Sequence, residues 1–205
     1  MESRYQFVLA SSSPRRQELI KGCFLNFEVV VSEIDENVSG MSPKDLVQFL
    51  ALEKAKAVLG TYKEQEHVLI LGADTIVVID NMILGKPKNR EDAKRILKIL
   101  SGREHEVMTG VALVSRNCER YFVETTKVTF EEIDDDLIDF YLDTGESMDK
   151  AGAYGIQGVA LSFINKVEGS YSNVVGLPVN RVLQEVKHFV GASDDKKGKW
   201  RELFL

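Results

Sequence analysis

The chain has 205 residues, enough for one compact domain or two small lobes with a buried core. Its 44% hydrophobic and 28% charged residues are those of a soluble globular protein and exclude a disordered or membrane-embedded one. A net charge of -6 at pH 7 argues against a general polynucleotide binder, which needs a basic face, so local clusters of Arg and Lys point instead to a small anion.

The opening residues, MESRYQFVLASSSPRR, carry no apolar signal core, so a reducing, cytoplasmic setting is expected, with Cys23 and Cys118 as free thiols. No stretch reaches the length of a membrane span, and neither a membrane nor a nucleic-acid polymer is expected as a partner. The two cysteines with His67, His105 and His188 lack zinc-ligand spacing.

A first strand at 7–9 leads into ASSSPRRQELI. Ser13 suits an N-cap and Pro14 the first helical position, which predicts a helix over 14–21 with Arg15 and Arg16 in its first turn. Basic side chains there oppose the helix dipole. The arrangement makes sense if an anion sits over the free backbone N–H groups, with Ser11, Ser13 and the two guanidinium groups around it. The alternative is a solvated first turn with two surface arginines.

The apolar run at 27–34 reads as a strand, and SEIDEN follows at its end. If that strand continues, alternation sends Glu33 and Asp35 one way and Ile34 and Glu36 the other, so the three acids cannot serve one site. In a helix over 43–59 Leu46, Phe49, Leu50, Leu52 and Val58 can supply the buried face, and its EKAK segment, taken alone, reads as an exposed face carrying Lys54 and Lys56.

The segment VLILGADTIVVIDNMILGKP is the most informative. Asp74 stands in the middle of an apolar strand at 68–79, where a carboxylate is costly unless it is paired, hydrogen-bonded or holding a metal. Gly72 permits a close backbone approach, Thr75 adds a hydroxyl, and Lys86 sits on a turn stiffened by Pro87. Carboxylate, lysine and arginines together suit a phosphate ester: the cations meet the anionic charge while the carboxylate orients a metal or an attacking water. The competing reading is a buried structural Asp–Lys pair.

A helix over 90–100 precedes strands at 107–114 and 121–130, which the short polar turn SRNCER makes antiparallel. With a strand at 159–167 and helices at 135–141 and 178–189, the fold class is α/β with a mixed sheet. EEIDDDLIDFYLD places acids in a first helical turn, where the dipole favours them without any ligand. DKAGAYGIQG gathers glycines around Tyr154 and Gln157, and a glutamine amide can both donate to and accept from a base edge. GSYSNVVGLP reads as a turn into the last helix, and GASDDKKGKWRELFL as a weakly anchored tail whose WRELFL end docks on the body or on a partner, with simple packing preferred. The chain thus divides into a domain at 1–190 and a tail at 191–205.

The motifs LASSSPRRQEL, SEIDEN, EKAKA, GADTIVV, LGKP, LSGREHEVMTGVAL, DKAGAYGIQG and NVVGLP follow one another in this order over about residues 7–190. In them the chain resembles the Maf (septum-formation-inhibitor-like) family of nucleoside triphosphate pyrophosphatases. The resemblance implies a two-lobed α/β fold, an elongated mixed sheet flanked by helices, and a cleft between the lobes. It also implies metal-dependent cleavage of a nucleoside triphosphate between the α and β phosphates, giving the monophosphate and pyrophosphate. Asp74 then matches the general base; Arg15, Thr75 and Gln157 match the specificity positions of the branch acting on dTTP and UTP; and Glu36, Lys54 and Lys86 match further site positions. None of these positions departs from that branch's pattern.

Joined to the residue-level reading, Ser11, Ser13, Arg16, Lys54 and Lys86 are expected to hold the phosphates, and Glu36 and Asp74 to share Mg²⁺ or Mn²⁺. The expected partner is the nucleotide substrate, excess or non-canonical pyrimidine triphosphates included, and the reading leaves room for a homodimer. The alternatives are a non-catalytic nucleotide-binding regulator of cell division, or a pyrophosphatase for 7-methyl-GTP or other modified purine nucleotides.

Overall fold

The computed structural model describes residues 5–23, 26–63, 65–191 and 199–204. In chain order its elements are β1 (Gln6–Leu9), α1 (Pro14–Lys21), β2 (Glu28–Val29), α2 (Pro43–Leu59), β3 (Val68–Ile79), β4 (Met82–Leu84), α3 (Arg90–Leu100), β5 (Glu104–Val114), β6 (Glu119–Phe130), α4 (Asp135–Asp143), β7 (Ile164–Glu168), α5 (Tyr171–Val175) and α6 (Val179–Phe189). Local capping fixes the helix starts. Ser13 accepts the Arg16 N–H, Ser42 the Asp45 N–H, Asn89 the Asp92 N–H and Asp134 the Leu137 N–H, each satisfying a donor that the helix leaves free.

The strands form one mixed sheet in the order β2-β1-β3-β5-β6-β7, with β4 also pairing β3. β1 runs parallel to β2 and β3, and the remaining pairs are antiparallel. The register leaves a gap. β1 covers one edge of β3 only as far as Leu71, and β4 begins to cover the same edge at Val77, so residues 72–76 have a strand neighbour on the β5 side alone.

Three expectations need correction. The run at 27–34 pairs only over Glu28–Val29, because its neighbour β1 ends at Leu9; the last ladder bond is Val30 N–H to Leu9 O, and Val31 beyond it is exposed. The stretch at 159–167 is not one strand: Gly158–Ser162 forms a 3₁₀ turn, and only Ile164–Glu168 pairs with β6. SYSNVV, read as a turn, contains the short helix α5, capped by Ser170.

Alternation along β3 and β5 divides the core in two. On one face α2 lays Ala51, Ala55 and Val58 on Ile70, Ala112 and Val114. The other face packs Leu71, Ala73, Val111 and Leu113 against Ile20, Val182 and Val186, and farther along places Val77 and Val107 beneath α3 and α4. The second cluster also takes Trp200 and Phe204, and the Tyr5 N–H donates to Leu203 O at 2.6 Å, so residues 200–204 pack on the body, one of the two placements the sequence suggests for this end. Of the predicted tail, 192–198 and Leu205 lie outside the described residues.

α2 comes unusually near the sheet because two residues beneath it lack side chains. A Cβ on Gly72 would lie 2.2 Å from Ala51 O, and one on Gly110 would lie 2.1 Å from Val47 O. Gly110 is the cross-strand partner of Asp74, so this contact sets the height of the helix directly above that carboxylate.

Candidate active site

A pocket of about 600 Å³ opens at the gap in the β3 edge. Its walls come from the chain leaving β1 (Ser11 to Arg16), Lys54 of α2, Asp74 and Thr75 of β3, Lys86 after β4, and the segment Asp149 to Gln157. The N-terminus of α1 thus stands just past the C-terminal end of a parallel strand, where open α/β sheets present backbone N–H groups to anionic ligands.

Asp74 and Thr75 are neighbours in a strand and project to opposite faces. On the α2 face, the Asp74 carboxylate accepts from Lys54 Nζ at 2.7 Å, and both side chains are almost buried. Glu36, largely exposed, reaches the same Nζ at 2.8 Å. The reading of EKAK as an exposed face therefore fails for Lys54, which the close seating of α2 turns into the sheet; it holds for Lys56, whose ion pair with Glu119 is on the surface. Because no strand continues past Val29, Glu36 is free of the predicted alternation, while Glu33 is exposed and Asp35 accepts the Asn37 N–H in a local turn.

On the opposite face Thr75 belongs to a hydrogen-bonded chain. Its hydroxyl lies 2.9 Å from that of Thr109 and accepts from Arg16 Nη2 at 3.0 Å. Arg16 also donates from Nε to Gly176 O at 2.9 Å and from Nη1 to Ser11 Oγ at 3.1 Å. Burial lowers its pKa from the ordinary guanidinium value; Asp74 opposes this, Arg15 adds to it, and Glu36 opposes it. Arg16 thus clamps α1 to the α5–α6 connection, with much of its donor set committed to protein oxygens. Ser11 braces it, and Ser13 serves as N-cap of α1. Deeper in the same network the buried Asn173 amide donates to Val107 O and Thr126 Oγ1, both at 3.0 Å.

Arg15 points the other way and donates to Asp149 at 2.8 Å. Burial raises the Asp149 pKa, but hydrogen bonds from Lys150 and Arg15 outweigh it and hold the group at about 2. Lys86 is exposed at the rim with no ion-pair partner among the described residues, and Gln157 is exposed to the pocket. The residues singled out from sequence are therefore brought together around one cavity. Asp149 and Lys150 were missed, although DKAGAYGIQG begins with them: nothing local shows that an acid at 149 will meet an arginine at 15.

Asp74 and Glu36 both offer hard carboxylate oxygens, and the point on which they converge is held by the Lys54 ammonium group. No cluster of three or more His, Cys, Asp or Glu able to hold a metal occurs among the described residues. This donor set fits Mg²⁺ or Mn²⁺, which commonly binds through one or two carboxylates and takes its other ligands from substrate phosphates and water.

The Maf-like protein family matches residues 6–189. Relatives named dTTP/UTP pyrophosphatase include one from Bacillus cytotoxicus, 50% identical over 185 residues, covering 90% of this chain and 95% of the relative. Another, from a Geobacillus species, is 51% identical over 183 residues, covering 89% and 97%; a third, from Bacillus cereus, is 47% identical over 90% of this chain and 95% of its own length. With the match spanning nearly all of the sheet and every wall of the pocket, the chain belongs to the Maf family.

Proposed function

We propose that this protein hydrolyses dTTP and UTP to the nucleoside monophosphate and pyrophosphate, clearing excess or non-canonical pyrimidine nucleotides. The observation that carries the reading is the nearly buried Asp74–Lys54 pair at the floor of a pocket whose rim is cationic. The names of the relatives agree with it.

Asp74 accepts a proton from the water that attacks the α-phosphorus; the bond from that phosphorus to the α–β bridging oxygen breaks, and pyrophosphate leaves with the electron pair. Lys54 holds the Asp74 carboxylate in place. Arg15, Lys86 and the free N–H groups of α1 take up charge along the phosphate chain, and Arg16 fixes the wall behind them. A divalent cation held by Asp74 and Glu36 would supply further neutralisation of the triphosphate. Gln157 meets the pyrimidine edge, whose O4, N3–H and O2 match an amide that donates and accepts. Thr75 contributes through Arg16 and Thr109, which engage its hydroxyl.

The setting proposed is cytoplasmic, with nucleotide as the partner; no described helix is long and apolar enough to cross a membrane. The test is pyrophosphate release from dTTP, UTP, CTP, GTP and 7-methyl-GTP with Mg²⁺ or Mn²⁺. Preference for dTTP and UTP, abolished by excess EDTA, is expected. Preference for a purine would overturn the substrate, full activity in EDTA would overturn the metal, and binding without turnover would leave a nucleotide-binding regulator.

A further inference from the structure

The motif LSGREHEVMTGVAL supplies a buried titratable group to which the chemistry above gives no role. His105 is 2% exposed, and its Nε2 lies 2.7 Å from the Tyr154 hydroxyl, itself buried. Tyr154 belongs to the pocket segment that carries Gln157. We infer that His105 and Tyr154 form a positioning couple that fixes this segment so that Gln157 stands in the pocket at the height of the base. The inference rests on the reading of Gln157 given above.

Backbone bonds hold the start of the segment, and the His105–Tyr154 contact is the side-chain hydrogen bond that fixes which residue turns inward. Tyr154 and Gln157 both have extended backbone, with φ of -144° and -99°. Tyr154 and Ile156 are buried, while Gln157 is exposed. In an extended chain the side chain that goes under determines which one stands out, so a slip by one residue would bury Gln157. The entry to the segment is strained: Ala153 has φ of 58°, a left-handed conformation that a residue with a Cβ adopts at a cost. That conformation persists because the following residue is anchored. The Tyr154 ring meets Phe130 edge-on at 4.7 Å and His105 at 5.4 Å, and the next residue, Gly155, donates its N–H to the Tyr141 hydroxyl at 3.3 Å.

The couple is a pair of neutral dipoles and not a proton relay. Burial pushes His105 down to about 4 against a smaller opposing pull from the Arg103 backbone, and burial raises the Tyr154 phenol far above neutrality. His105 Nδ1 makes no hydrogen bond of good geometry and has only the Arg103 backbone nearby, so the short contact to the Tyr154 hydroxyl is the principal polar interaction of the ring.

The experiment compares kcat and KM for dTTP and CTP in Gln157→Ala, Tyr154→Phe and the two combined. Tyr154→Phe keeps the ring packing and removes only the hydroxyl. The dTTP/CTP ratio of kcat/KM should fall about tenfold in each single variant, and in Tyr154→Phe the loss should lie mainly in KM, as for a contact displaced without being deleted. Tyr154→Phe should then add no further loss of selectivity in the Gln157→Ala background, because it acts through a side chain already gone. Should Tyr154→Phe fold poorly, the pair His105→Leu/Tyr154→Phe leaves no orphaned partner and should regain stability without regaining selectivity. An unchanged ratio in Tyr154→Phe beside a lowered one in Gln157→Ala overturns the couple, as do multiplicative losses in the combined variant. An unchanged ratio in Gln157→Ala overturns the base-reading assignment and the couple with it.

Discussion

The two faces of β3 at the pocket are built on opposite principles. On the α2 face two glycines, Gly72 and Gly110, bring a helix down onto the sheet, and the result is a compact charge cluster in which Lys54 meets Asp74 and Glu36. On the other face Thr75, Thr109, Arg16 and Asn173 join in a web of hydrogen bonds that ties four separate stretches of chain together. The first face concentrates charge where a reaction needs it. The second spreads modest interactions over many groups and holds walls and loops in place. One strand can serve both because its side chains alternate, so chemistry and scaffolding occupy adjacent residues without competing for space.

The two faces differ most at Asp74. Asp74→Asn should lower kcat roughly 10²–10⁴-fold, the usual worth of a positioned general base, with dTTP binding retained. Steady-state pyrophosphate release beside calorimetric titration with dTTP separates the two effects, and near-normal turnover would reduce Asp74 to a partner for Lys54. Gly110→Ala tests whether helix height matters. Its methyl group would press on Val47 O, so α2 must shift, at a cost of roughly 3 kcal/mol in urea denaturation, with lowered turnover as Lys54 moves off Asp74.

The other face should respond to acid. His105 titrates at about 4 in the folded chain against an ordinary 6.5, so the unfolded chain takes up a proton that the folded one refuses. Stability contributed by the neutral imidazole is complete above pH 6.5 and is lost as pH falls from 6.5 towards 4, reaching at most about 3 kcal/mol. Urea midpoints at pH 7, 5.5 and 4.5 should show this decline, and His105→Leu/Tyr154→Phe should flatten it. Smallest is Asp149→Asn, which removes a largely exposed ion pair with Arg15: a stability change below about 1 kcal/mol is expected, with a shift in KM for dTTP that shrinks as salt is added. A large, salt-insensitive loss would mean that Asp149 does more than hold Arg15.

What was legible in the sequence follows from the range of the forces involved. α1, α2 and α3 begin where Ser13–Pro14, Ser42–Pro43 and Asn89 place them, because a cap is decided within a few residues. The strand expected at 27–34 failed for the converse reason: β-branched residues form a strand only where a neighbour supplies ladder partners, and β1 stops too soon. α5 was hidden because five residues with two valines carry little helical signal, and its cap bond is reinforced by contacts with distant β5 and β6. Within the site, residue types were readable and partners were not. That Lys54 faces Asp74, or that Arg16 is bound to Gly176, depends on how α2 and the α5–α6 connection settle on the sheet.

The gap along β3 at 72–76 carries a further consequence. An uncovered strand edge is ordinarily a template on which another chain can add itself, the first step towards aggregation. Here the opening is short and closed at both ends, by the Ala10 N–H bonded to Leu71 O on one side and by the pairing of Val77 with Leu84 on the other. An incoming strand needs a longer straight run and would collide with the chain entering α1 or with the turn at Gly85. The molecule therefore keeps a short stretch of β3 open to the pocket without offering an edge on which a further strand can be added.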